Sequence, residues 1–166
     1  MEFNNLFTSL LIRINKFQDE NNYFVYSFSY FSVISNLHLS LLNKERAKLK
    51  LGLLTYSNCL MEAAQDQSSY MLSKKNLTYS NPHGDLFSIA RFYGQKKVNN
   101  VYENIGYAYE DDKDIIEEFM KGPQKENILN KKVTQVGVGV AQTKNGPLYW
   151  TQFFTDGTCS KYNYIA

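Results

Sequence analysis

Histidine is scarce in this chain of 166 residues: there are 2, His38 and His83, beside thirteen Tyr and eleven Phe. A metal or imidazole-based catalytic centre would have to be built from that pair. Cysteine also occurs only twice, as Cys59 and Cys159. Export would allow them to bridge, but sequence does not show that their Cβ atoms meet. Two free, packed thiols are the expectation, since Cys is among the most often buried residue types. No Lys/Arg cluster interrupts the even spread of charge, and the net charge is +2. The electrostatic footprint of a nucleic-acid binder is therefore missing, and that partner class is set aside. There is no Walker loop, no G-x-S-x-G elbow and no EF-hand spacing. Gly137-x-Gly139 begins like a dinucleotide fingerprint, but Gln142 stands where its third glycine belongs. The start carries Glu2 and no basic n-region, so a secretory signal is not legible, and no nearby cysteine marks a lipid-attachment box. From Tyr23 to Leu42 no Asp, Glu, Lys or Arg occurs, a length that would span a bilayer. Five Ser, three Tyr, Asn36 and His38 within that window argue against a span.

What is present points to a globular domain: 43% of residues are hydrophobic, enough for one core at this length. The organising stretch is Gln135 to Thr155, QVGVGVAQTKNGPLYWTQFFT. Val136, Val138 and Val140 alternate with Gly137, Gly139 and Ala141 in the period-two pattern of a strand. Asn145-Gly146 supplies a turn, and Leu148 to Phe154 returns as an aromatic strand. The face bearing the glycines is nearly bare, so a helix is expected to approach the backbone closely there.

Residues 1–33 read as an N-terminal extension, with Leu6, Leu10, Leu11 and Ile14 on one face of a short helix and a break at Asp19 to Asn22. Residues 34–166 form the domain. Ile34, Leu37, Leu41 and Leu42 predict a helix over about 34–49. A second helix runs from Cys59 to Lys74 with Ser57 or Asn58 as cap, turning Leu60, Ala63, Ala64, Met71 and Leu72 inward. Asp85 caps a third, ended by Gly94. An extended segment covers Asn99 to Tyr109. Asp111 or Asp112 caps a fourth helix with Ile115, Ile116, Phe119 and Met120 on its buried stripe, and residues 124–130 make a helical turn. The acids Asp111, Asp112, Asp114, Glu117 and Glu118 suit the positive end of that helix and a solvated face. These elements give an α+β domain with a small sheet and helices packed on it.

Several stretches, taken together, resemble a known family. NKERAKLKLGLLTYS, LMEAAQDQSSYM, YENIGYAY, NILN, VGVGVA and YWTQFF follow the order found in the bacterial branch of the CAP superfamily. These are the cysteine-rich secretory, antigen 5 and pathogenesis-related-1 proteins, or SCP-like domains. The match covers about residues 37 to 155. It implies an α-β-α sandwich, with a small antiparallel sheet between helices, and a secreted or cell-surface location. The Asn-, Lys-, Tyr-, Phe- and Ile-rich composition would suit a spirochaete outer-surface member.

The resemblance also implies a cleft with two His and one or two acids, able to hold a divalent metal such as zinc. Here the carry-over fails at both imidazoles. In the bacterial branch one His precedes a Ser/Thr-Ser-Pro loop; in LTYSNP its place is taken by Tyr79. The other follows Ser-Pro-Gly; GPQKENILN is one residue shorter and puts Gln124 there. Phe119 replaces the family's Trp and Gly122 its Ser, while Glu103 keeps the Glu of the ENI motif. The expected cleft is thus Tyr79, Glu103 and Gln124, with the family's zinc site lost and no cofactor. Glu103 is expected to accept backbone N–H groups and tie the ENI strand to the next loop; hydrogen-bonding a ligand is the alternative. His83, four residues past Tyr79, is a candidate cleft neighbour. Solvent-facing imidazoles are the ordinary expectation for His83 and His38.

The function expected from this pattern is that of a monomeric, non-enzymatic binding module that meets a host or envelope molecule. One alternative is a divergent metal-dependent hydrolase using Glu103 as base and His83 as ligand. Another is a lipid or sterol carrier.

Overall fold

The computed structural model describes residues 23–24, 28–144 and 146–161, with side chains from residue 36 onward. The expected helix near Leu6, the break at Asp19 to Asn22 and Asn145 of the turn lie outside the described residues. In chain order the elements are β1 (Tyr23–Phe24), α1 (Phe28–Lys48), β2 (Thr55–Tyr56), α2 (Asn58–Lys74), α3 (Leu86–Phe92), β3 (Gln95–Lys96), β4 (Val101–Tyr107), α4 (Asp112–Lys121), α5 (Lys125–Ile128), β5 (Gln135–Thr143), β6 (Tyr149–Thr155) and β7 (Thr158–Cys159).

The hairpin read from sequence is the centre of the sheet. Strand β6 lies between β5 and β4, antiparallel to both, with Gly137, Phe153 and Glu103 in one row. Every residue of β6 is buried, so both faces of the sheet are covered. Val136, Val138 and Val140 join Trp150 and Phe154 in a core closed by Leu42 of α1, Ile115, Ile116 and Phe119 of α4 and Ile128 of α5. The opposite face receives α2. A Cβ on Gly137 would fall on the backbone of Leu60, and one on Gly139 on the backbone of Ala64. The bare face is what lets this helix lie against the strand. The result is helices on both sides of a small, mainly antiparallel sheet.

Among the described residues, strand β5 has a partner on its outer edge only at its ends, β2 in parallel and β1 in antiparallel. Between them α2 supplies the missing bonds. Val140 N–H donates to Gln65 Oε1 (3.3 Å), Gln65 Nε2 donates to Val140 O (2.9 Å), and Val138 N–H donates to Met61 Sδ (3.3 Å). An otherwise exposed strand edge is closed by side chains.

Helix ends follow the sequence signals. Ser57 Oγ accepts from Leu60 N–H at the start of α2, Asp85 caps α3 and Asp111 caps α4. Gly94, with φ +100, follows α3. Helix α1 departs from expectation. It starts at Phe28 instead of near residue 34, since FSYFSVIS holds no Gly or Pro to stop it. Its inward positions also differ, for Leu37 is 53% exposed while His38, Leu42 and Arg46 are buried one turn apart. Arg46 ties the domain together: Nε donates to Gly52 O (2.7 Å), Nη1 to Ile128 O (2.7 Å) and Asn130 O (2.9 Å). Burial lowers its pKa.

The free-thiol expectation is overturned, because Cys59 and Cys159 form a disulfide, with Cα atoms 5.6 Å apart. The short pairing of β7 with β3 brings Cys159 back to the first turn of α2, a meeting no local pattern announces. Reduction should lower the unfolding free energy by about 2–4 kcal/mol, read as a drop in urea midpoint with and without dithiothreitol. An unchanged midpoint would show that the bridge constrains little.

Among the described residues no helix is long and apolar enough to cross a membrane.

Candidate functional site: a buried carboxyl under Tyr79

Strand β4 is an edge of the sheet, and its register sets Glu103 beside Phe153 on the face that α2 and α3 cover. The side chain lies between Val101 and Ile105, and Glu103 is 6% exposed. Neither carboxylate oxygen accepts a hydrogen bond among the described residues. Burial pushes the carboxyl up to about 8. The expected structural role of this side chain is therefore corrected. The tie from the ENI strand to the following segment is made by others: Asn127 Nδ2 donates to Glu103 O (3.2 Å) and Asn104 Oδ1 (2.7 Å). An unbonded carboxyl in such a place is costly.

Tyr79 stands in the loop between α2 and α3, 57% exposed, and its phenol is raised by burial and by the nearby Glu103 carboxyl. Its position is fixed from below. Gln67, fully buried on α2, donates from Nε2 to Thr78 O (2.7 Å) and Ser80 O (3.2 Å), and accepts from Asn81 Nδ2 (2.7 Å). One amide thus holds the carbonyls on either side of Tyr79. Sequence gave no sign of this, as Gln67 sits in an ordinary polar run, QDQSS. Gln124 comes near through its main chain: its carbonyl accepts from Asn104 Nδ2 at 3.2 Å, while its side chain folds back towards Gly122. The structure sets Tyr79 within electrostatic reach of Glu103, whereas Gln124 meets Asn104, the next residue of the strand, whose side chain faces the other side of the sheet.

The two imidazoles are engaged elsewhere. His83 Nε2 lies 3.8 Å from Asp66 Oδ2, and its ring stacks on Phe92 (centroids 3.8 Å) with Tyr93 edge-on. His38 is fully buried, which corrects the solvent-facing expectation. It belongs to a row of side chains whose donors all point one way. Asn127 donates to Asn104, Asn104 Nδ2 to Gln152 Oε1 (2.9 Å), Gln152 Nε2 to His38 Nε2 (2.7 Å), and His38 Nδ1 to Asp112 Oδ1 (2.6 Å). Asp112 is accordingly buried, where a solvated place was expected; Asp111 makes the cap. This row joins α5, β4, β6, α1 and α4 through the core. His38→Ala should cost about 3 kcal/mol in urea unfolding, because it removes the ring that Gln152 Nε2 and Asp112 Oδ1 both meet. A loss below about 1 kcal/mol would mean that water replaces the ring.

The donor set does not fit zinc. That ion takes three or four imidazoles, thiolates or carboxylates, and here the one carboxyl has the Tyr79 phenol as its electrostatic neighbour. Among the described residues no three His, Cys, Asp or Glu side chains converge as metal ligands.

Residues 39–154 match the family model of the cysteine-rich secretory protein family, CAP. The chain belongs to this family. Solved structures agree on the CAP fold. An outer surface protein from Borrelia burgdorferi superposes with TM-score 0.68 at 16% identity, covering 77% of this chain and 94% of that one. An extracellular SCP-domain protein from Bacillus anthracis gives 0.61 at 22% identity, over 79% of this chain and 45% of that one. A cysteine-rich secretory protein from Staphylococcus aureus gives 0.59 at 16%, over 80% and 41%. This CAP chain thus spans less than half of the last two. No curated protein sequence matches it.

Proposed function

We propose that the chain is an exported or surface-exposed CAP-domain protein that acts as a non-enzymatic binding module, its ancestral metal cleft reworked to hold a host or envelope molecule. The observation that carries this reading is the site at Glu103: a buried carboxyl with no donor among the described residues, near the exposed Tyr79 and with neither imidazole joined to it. Such a site lacks the second metal ligand or nucleophile that hydrolysis would need. The disulfide favours an oxidising compartment, and two proteins of the same fold are an outer surface protein and an extracellular protein.

A zinc titration with and without His83→Ala tests the reading. Weak, sub-stoichiometric zinc in both proteins is the expected result. Tight, stoichiometric zinc lost in the variant would replace the module by a metal-dependent hydrolase with Glu103 as base. A saturable sterol or fatty-acid stabilisation, insensitive to chelator, would replace it by a lipid carrier.

A further inference from the structure

We propose that the end of the domain formed by the turn after α1 and the loop after α5 docks on a bilayer of anionic phospholipid, with Leu49 and Leu53 entering the acyl boundary and the neighbouring lysines meeting the phosphates. The inference is independent of the reading of the Glu103 cleft.

In sequence, Lys48 and Lys50 stand far from Lys131 and Lys132. Arg46 brings the two pairs together, since its buried guanidinium donates to Gly52 O on one side and to Ile128 O and Asn130 O on the other. Thr55 N–H donates to Thr134 O (3.0 Å), a second link between the two segments. Leu54, Ile128 and Val133 lie in the core and anchor both loops from beneath. Asn43 holds Leu54 by both main-chain groups, accepting from its N–H (2.8 Å) and donating to its O (3.0 Å). Above these anchors the side chains meet solvent. Leu49 is 58% and Leu53 63% exposed, and all four lysines are exposed.

Composition selects the partner. Residues 46–55 and 127–135 contain no Asp or Glu; the acids that flank them are Glu45, which meets Lys48 Nζ (2.6 Å), and Glu126. Four ammonium groups around two aliphatic side chains match a surface that is negative outside and oily beneath. The same residues contain no Phe, Tyr, Trp or His. Protein interfaces are enriched in aromatic residues and poor in Lys, and single-stranded nucleic acid is held by stacking on rings. A soluble polyanion such as heparin would use the lysines but offer the leucines nothing apolar to enter. Aliphatic tips among long, flexible ammonium side chains fit lipid, because the stems can lie along the apolar layer while the charges stay at the headgroups.

Co-sedimentation of the full chain with vesicles tests this, using phosphatidylcholine alone and phosphatidylcholine with about one-third phosphatidylglycerol. Binding to the second vesicle and not the first, weakened by added salt, is the expected result. Leu49→Ser with Leu53→Ser should weaken it by at least about tenfold, and so should Lys131→Glu with Lys132→Glu. All four positions are exposed, and circular dichroism checks that the variants fold. Lys74→Glu with Lys75→Glu makes the same change of charge where α2 ends, roughly 25 Å along that helix from its start. That pair should weaken binding by less than about threefold. No binding to the anionic vesicles would overturn the proposal. An equal loss in the Lys74 and Lys75 variant would overturn it too, leaving net charge as the cause. Binding indifferent to the two leucine changes would replace docking into lipid by adsorption of charge. Tighter binding to soluble heparin than to vesicles, undiminished by the leucine changes, would overturn the lipid in favour of a soluble polyanion.

Discussion

Gly139→Val should abolish cooperative folding, or cost more than about 5 kcal/mol where a transition survives. At this position a Cβ would fall on the main-chain carbonyl of Ala64 and the nitrogen of Gln65. Side chains can swing away from an intruding methyl; the backbone of a packed helix cannot. Relief would require α2 to lift off the sheet. That movement would also break the bonds of Gln65 to Val140 and of Met61 to Val138, reopening the edge of β5. Leu60, Ala63 and Ala64 would lose their burial against Phe153 at the same time. Gly52→Ala is the matched control, since an added Cβ there meets nothing within 4 Å. Its effect should stay within about 0.5 kcal/mol. Thermal melts followed by circular dichroism separate the two, and a Gly139→Val protein that melts like the wild type would show that α2 does not sit on this strand.

Glu103→Gln should make the protein more stable at alkaline pH, by about 4–5 kcal/mol above pH 8. The carboxyl ionises near 4.5 when unfolded and near 8 when folded. Between those values the folded chain holds a proton that the unfolded chain has lost, so stability falls as pH rises. Below pH 4.5 this group costs nothing by ionisation; above pH 8 its penalty is complete and constant. Glutamine keeps the shape and removes the charge. The difference between wild type and variant isolates this one group from all others that titrate in the range. Urea unfolding at pH 5, 7 and 9 should give curves that diverge steadily, with the variant ahead. Parallel curves would mean that water or a neighbouring donor already satisfies the carboxylate.

Much of this architecture could be read from residue order because each signal was local. The Val/Gly alternation set the strand and the bare face, Ser57, Asp85 and Asp111 capped their helices, and Gly94 and Gly122 stopped two of them. What sequence missed was non-local or contrary to type. The buried stripe of α1 is His38, Leu42 and Arg46, two of them polar, so hydrophobic periodicity pointed to Leu37 instead. The buried polar row through His38 depends on partners from five elements, and the disulfide on two short strands with no pattern of their own. At the site, Tyr79 and Glu103 were named through family resemblance, but Gln67, which sets the loop carrying Tyr79, offered no signal. That no described residue donates to the Glu103 carboxyl was also unreadable, for it depends on the surrounding packing.

The bridge between Cys59 and Cys159 spans 100 residues, and the loop carrying Tyr79 lies within that span. A peptide bond cut in that loop would leave both fragments in one covalent molecule. Outside a cell, where proteases are met, such a protein could be clipped beside its own cleft and still not lose a piece. The loop beside Glu103 is thus one that can be damaged without the molecule coming apart.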